Sequence, residues 1–276
     1  MTQLLRARRN TACAGTLSGV PALVARLRRS DPSPAAFVIA LLVAWEVGAH
    51  TVLNVEWTSS PSIVAVELWR WISSGAAVPH LLSTVEGTVL GFGIGGAAGL
   101  VLGIALASSR TLWAISEPYI IALYSLPSLA LAPLFVVVFG ISLWSKVAFA
   151  ALTVFLLTTF MTYRGVRDVP IDLLVAIRLM GPDRGQVLFK VVLPAAVTSI
   201  LLGLRTSAPM ALRATVFGEL VASTEGIGYV IKRGASLYDT GLVFAALLTL
   251  GIVGFAVDMV LSYVESRLSP VALDRS

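Results

Sequence analysis

Apolar runs of membrane-spanning length recur along this chain, and they constrain its fold more than any other feature. A helix crossing a bilayer needs about 20 mostly apolar residues. Six segments offer such a run: 35–53, 81–106, 119–140, 145–164, 195–222 and 241–264. The apolar residues come in blocks and do not alternate, which argues against a transmembrane β-barrel. Only 13% of the 276 residues are charged, about half the ~25% typical of soluble domains. There is too little polar surface to cover a soluble globule. The expected fold is all-α and polytopic, with six transmembrane helices.

Charge sets the expected orientation. With the N-terminus inside, the segments 1–34, 107–118, 164–194 and 265–276 hold 14 Lys and Arg residues, while 54–80, 141–146 and 223–240 hold 4. That bias fits the positive-inside rule and places both termini in the cytoplasm. The net charge of +5 is read as topology rather than nucleic-acid binding. The organisation expected is a basic cytoplasmic tail (1–34), a first span with an outer interfacial helix (35–80), a core (81–270) and a short cytoplasmic tail (271–276). In the tail, 20–29 reads as a short amphipathic surface helix. Ser60 before Pro61 reads as a helix start, and Leu68, Trp69 and Trp71 suggest a helix lying at the outer interface.

The longest internal loop, 165–194, is therefore cytoplasmic. Ile171, Leu174, Ala176, Leu179 and Met180 mark one short amphipathic helix. Gly181 and Pro182 break it, and Asp183 can cap a second, with Val187, Leu188 and Val191 on one face. Leu193 and Pro194 restart the chain into the fifth span, with proline tolerated in a first turn. The loop reads Val175-Ala176-Ile177, three residues, Gly181, nine residues, Val191, one residue, Leu193-Pro194.

That spacing resembles the "EAA" loop of binding-protein-dependent ABC importer permeases, and the resemblance extends from about Ser60 to Pro270. It is closest to the nitrate/sulfonate/taurine type. Leu126-Pro127, Pro133-Leu134, Phe139-Gly140-Ile141, Gly203-Leu204-Arg205, Glu219-Leu220 and Gly226-Ile227-Gly228-Tyr229 are similar to that family's pattern. Two residues depart from it. The acidic residue at the loop's start is Val175 here, with Asp172 three residues earlier on the same helix face. The arginine common near the start of the second span is replaced by the region of Glu86.

The resemblance implies a type I ABC importer permease fold. It also implies a homodimer in the bacterial plasma membrane, two ABC ATPase subunits carrying ATP and Mg, and an extracytoplasmic solute-binding protein. In such a loop Asp172, Val175, Ala176, Ile177, Gly181, Asp183, Leu193 and Pro194 would form the ATPase-coupling element. The implied solutes are small anions such as sulfonates, taurine or nitrate, with aromatic acids and thiamine precursors as alternatives.

Gly91-Phe92-Gly93-Ile94-Gly95-Gly96 matches a dinucleotide fingerprint, but it lies inside an apolar run rather than after a strand. Gly91, Gly95, Gly99 and Gly103 recur every four residues, the spacing that lets membrane helices approach closely. Pro127 and Pro133 interrupt the third span, with Tyr124, Ser125 and Ser128 beside the break. Broken spans often line substrate paths, although a kink can also serve packing alone. Arg205, Arg213 and Glu219 lie in or near the fifth span, where charge is costly and functional by default. Arg213 would touch an anionic substrate or pair with Glu219 or another span's carboxylate. Glu46 and His50 share a face of the first span, and Asp258 lies in the last.

Cys13 is the only cysteine, and His50 and His80 are the only histidines. That excludes a disulfide within the chain and a cysteine-based metal cluster. No Gly-x-x-x-x-Gly-Lys-Ser/Thr sequence occurs, so no cofactor is expected in this chain and its energy would come from another subunit. An intramembrane enzyme would need a nucleophile or metal constellation that the scattered Ser, His and Asp residues do not offer. A passive channel is the other alternative.

Overall fold

The computed structural model describes residues 34–52, 55–170, 177 and 181–268. The described residues form helices without a strand. The chain divides at Val55 into two units. In the first, α1 (Pro34–Thr51) is an 18-residue apolar helix, about 27 Å long. Its Glu46 and His50 lie one turn apart, with Oε1 3.1 Å from Nε2. The amphipathic stretch expected at 20–29 lies outside the described residues.

The second unit runs through α2 (Val55–Thr58), α3 (Pro61–Ser73), α4 (Ala77–Ser108), α5 (Arg110–Ser125), α6 (Ser128–Phe139), α7 (Leu143–Arg167), α8 (Arg184–Val187), a π-helical turn (Leu188–Val192), α9 (Leu193–Val221), α10 (Ile227–Ser236) and α11 (Thr240–Leu268). Ser60 caps α3 as its sequence suggests, with the Ile63 N–H 3.5 Å from its hydroxyl. Trp69 on that helix is exposed, whereas Trp71 is buried in a core with Ile227, Val230 and Ala246.

The centre of this unit is a pair of parallel helices. Gly91, Gly95, Gly99 and Gly103 turn one face of α4 onto α7, meeting it at Ala150, Ala151, Phe155 and Thr162 respectively. A Cβ built on Gly91 would stand 2.5 Å from that of Ala150, and one on Gly95 would strike the Ala151 carbonyl oxygen. Glycine is needed here because two helix backbones nearly touch. α9 returns antiparallel along α7: Gly165 lies against Ser199, Gly203 against Met161, and Gly218 against Lys146.

Because α4 and α7 are parallel, the segment between them must carry the chain back across. It does so as two helices bent by 101°, Thr111–Ser125 and Ala130–Phe139, with the bend at the interruption expected near Pro127 and the start earlier than the expected 119. Trp113 on α5 stacks on Tyr163 near the C-terminal end of α7, with ring centroids 3.4 Å apart. Phe135 on α6 reaches Phe149 near the other end, at 5.8 Å. The break falls at Leu126-Pro127. Pro133 lies within α6 and does not interrupt it. Among the described residues, four further helices are long and apolar enough to cross a membrane, or five spans if the bent pair is counted as one, against the six expected; α1 is apolar but shorter.

Candidate functional site

The loop side of the unit is built on an apolar cluster. Ala107 lies at the end of α4, Val166 in the last turn of α7 and Val169 just beyond it, Val187 and Val192 lead into α9, and Ala196 and Ile200 lie within α9; together they form a buried core. Ile177, Leu188 and Leu193 pack against it, half-buried. Gly181 has φ +78°, a left-handed conformation that glycine adopts without strain, and a Cβ there would meet nothing within 4 Å. The turn therefore needs glycine for its backbone and not for space. Asp183 Oδ1 accepts the Gln186 N–H at 2.8 Å, the capping geometry expected of it.

The second loop helix is one turn long and passes through the π-helical turn directly into α9. Leu193 and Pro194 therefore continue a helix already under way rather than restart the chain. Pro194 is accommodated because it sits at the first turn of α9, beside the widened π turn. Asp172, Val175 and Ala176 lie outside the described residues, so no contact is assigned to them.

At the other end of α9, about 39 Å along the helix from Leu193, lies a buried ion pair. Lys146 Nζ stands 2.9 Å from Glu219 Oε1, with side-chain exposures of 5% and 0%. Lys146 also donates to Ser83 Oγ at 2.6 Å. Thr84 Oγ1 lies 2.9 Å from Glu219 Oε2 and accepts the Ile227 N–H at 2.8 Å. The Gly228 N–H donates to Oε2 at 3.0 Å, and the Gly226 N–H to His80 Nδ1 at 3.2 Å. The carboxylate thus gathers an ammonium, a hydroxyl and an amide at the N-terminus of α10, where the helix dipole favours negative charge.

The Gly226-Ile227-Gly228 turn makes this contact possible. Gly226 has φ +111°, and a Cβ there would fall on the Glu219 carboxylate; one on Gly228 would stand 2.5 Å from the Val216 carbonyl oxygen. Lys232 closes the arrangement by donating to the last-turn carbonyl of Val221 at 3.0 Å. Sequence reasoning grouped Lys146 with an outer loop and missed its role. The available signal was a lysine one turn into an otherwise apolar helix.

The fifth span's other charges are placed differently. Glu219, expected along a pathway, has no exposed surface and is held by Lys146, so it does not pair with Arg213. Arg213 is exposed, with Met210 Sδ 3.7 Å from its Nη1. Arg205 Nη2 donates to Ser262 Oγ at 2.8 Å and lies 3.8 Å from Asp258 Oδ1, linking α9 to α11. Tyr124, Ser125, Pro127 and Pro133 are exposed around the bend. The Ser125 hydroxyl donates to the Ile121 carbonyl at 2.8 Å. The side chain of Ser128 lies outside the described set.

Residues 99–270 match the model of the binding-protein-dependent transport system inner membrane component family. This chain belongs to that family of ABC importer permeases. The permease is 31% identical over 229 residues to the putative aliphatic sulfonates transport permease SsuC of Bacillus subtilis, covering 83% of each chain. It is 33% identical to the riboflavin transport system permease RibX of Chloroflexus aurantiacus, over 83% of this chain and 85% of that one. The taurine transport system permease TauC of Escherichia coli is 31% identical over 69% of the permease and 70% of its own length. Among solved structures, a chain of the inward-facing MetNI methionine ABC transporter superposes with TM-score 0.63 over 69% of the permease and 95% of that chain, at 18% identity. At that identity the likeness speaks for the fold. The permease is thus an integral inner-membrane transport subunit, in agreement with the resemblance carried by its loop.

Proposed function

We propose that the permease translocates a small organic anion of the sulfonate or taurine kind, as one half of a homodimer driven by two ABC ATPase subunits and fed by a solute-binding protein. The observation that carries this reading is the 165–194 loop. It has the family's spacing, and its Ile177, Val187 and Val192 pack onto the ends of α4, α7 and α9. A partner pushing on that element would move three spans together. Force, not proton or group transfer, is the mechanism, so rigidity is what the residues supply. Asp172 would offer the carboxylate that Val175 lacks.

At the far end, the Lys146–Glu219 pair makes α4, α7, α9 and the α10 turn one body. Motion imposed at the loop would then be delivered undiminished to the opposite face. The exposed bend at Tyr124–Ser125 and exposed Arg213 face outward from this body and would line a pathway at the dimer axis. In the proposed orientation both termini and the loop are cytoplasmic, and the ion pair lies near the outer face.

A second substrate class is favoured by the riboflavin permease and by the formylaminopyrimidine permease ThiX of Halalkalibacterium halodurans, 30% identical over 81% of this chain. A heteroaromatic solute is therefore the alternative. Reconstitution with the cognate ATPase and binding protein separates the two by ATP-dependent uptake of taurine against formylaminopyrimidine. Solute uptake into liposomes by the permease alone, without ATPase, would overturn the importer reading. Asp172→Ala leaving ATP coupling intact would overturn the role given to that carboxylate.

A further inference from the structure

Arg205, Arg213 and Glu219 are the charged residues of α9, and the bundle matches two of them. Glu219 meets Lys146 at 2.9 Å. Arg205 donates to Ser262 at 2.8 Å, with Asp258 3.8 Å away. Arg213 is left with a thioether, Met210 Sδ at 3.7 Å, and no carboxylate among the described residues pairs with it.

Its depth makes that state costly. Arg213 lies about 12 Å in from Val221, the C-terminal end of α9. Helical side chains lean toward the N-terminus of their helix. The guanidinium follows that lean, since Met210 is one turn N-terminal to it. It therefore reaches toward the middle of the span and not up to the nearer surface. An arginine left to lipid near a span's centre costs about 2.5–3.5 kcal/mol on insertion scales. Charges inside a membrane accordingly face a bundle interior or a water-filled path.

The side of α9 that carries Arg213 is the one its own bundle leaves open. Leu202, Thr206, Arg213 and Phe217 are exposed along it, whereas Ala208, Ala211, Leu212 and Thr215 are buried on the other side. Next to Arg213, the buried Ala214 packs with Ala132 of α6, and Leu131 and Phe135 lie against the same cluster. The open face is thus bordered by α6, which begins at the exposed bend of Tyr124 and Ser125.

We propose that Arg213 selects for negative charge in the transported solute. Its guanidinium holds the sulfonate head, while Met210 and Phe217, one turn to either side, cover the short alkyl part. This role rests on the anionic substrate class and the pathway proposed above. A guanidinium stays charged and offers a planar fork of N–H donors that matches two oxygens of an oxyanion. A neutral heteroaromatic solute would leave that charge unmatched, so the same residue discriminates between the two solute classes.

The test uses the full complex, reconstituted with its cognate ATPase and binding protein, and reads ATP-driven uptake of taurine, ethanesulfonate and formylaminopyrimidine. Arg213→Gln should lower the saturating uptake rate of either sulfonate on the order of tenfold or more. Arg213→Lys keeps the charge without the fork and should lower it less. A second variant separates charge from packing. In a Cys13→Ser background, Arg213→Cys should lose sulfonate uptake. The cationic reagent 2-aminoethyl methanethiosulfonate should restore it, and the anionic 2-sulfonatoethyl reagent should not. An arginine needed only for structure would respond alike to both. Sulfonate uptake unchanged in Arg213→Gln, equal rescue by the two reagents, or a thiol that neither reagent reaches would overturn the role of Arg213 and leave the importer reading standing. Wild-type uptake of formylaminopyrimidine without either sulfonate would instead overturn the proposed substrate class, and this role with it.

Discussion

Lys146 and Glu219 illustrate what a single pair of residues can do inside an apolar bundle. Each charge would be costly to bury alone, and each is kept by the other together with Thr84, Ser83 and the Gly228 amide. Removing one partner leaves the other charge buried and unmatched, at a cost of about 3–5 kcal/mol. Lys146→Met and Glu219→Leu should each lower stability by that amount in a detergent unfolding titration. The double variant should recover most of the loss, because desolvation of both charges is then avoided. Additive losses in the double variant would show that the pair is not an energetic unit. Neither residue is exposed, so these effects should appear in stability before they appear in solute affinity.

Among the helices, the α4–α7 contact depends on absent side chains. Gly95→Val would drive a side chain into the Ala151 backbone, and overpacking of this kind costs about 1–3 kcal/mol. Gly93, on the opposite face of α4, meets nothing within 4 Å, so Gly93→Ala should leave the unfolding midpoint unchanged or slightly raised. The two variants measured side by side separate helix packing from helix propensity. The loop element responds to a different constraint. Gly181 is surrounded by open space but holds φ +78°, and a left-handed conformation costs a non-glycine residue about 1–2 kcal/mol. Gly181→Val should sharply reduce ATP-driven uptake by the reconstituted complex, whereas Gly181→Asn, which tolerates this conformation better, should retain most of it. Equal activities would mean that the turn does not shape the coupling element.

Across the whole molecule, the decisive relation is distance: the loop and the ion pair occupy opposite ends of the same three spans. In a Cys13→Ser background, Gln186→Cys should react with a membrane-impermeant thiol reagent only after the cytoplasmic face is opened. Thr224→Cys should react in intact cells. The reverse pattern would invert the proposed orientation. Burial of Lys146 removes one charge from the outer loops and so strengthens the bias on which that orientation rests.

Much of this was legible in the linear sequence, because the signals concerned are local. Apolar runs of about 20 residues report spans. Glycines four apart report a close helix face. Gly181 and Asp183 report a turn and a cap within five positions, and the loop spacing reports the family. The interruption near Pro127 was also legible, but not that Pro133 would leave its helix intact. Only the tertiary structure decided which charges meet. Glu219 finds Lys146 at a sequence distance of 73 and Thr84 at 135, while Arg213, two turns away on the same helix, points elsewhere. The parallel α4–α7 pairing decides this by bringing Ser83, Thr84 and Lys146 to the same depth beside Gly218 and Glu219. Periodicity along one helix records which face is apolar, but not which distant residue will occupy the space opposite.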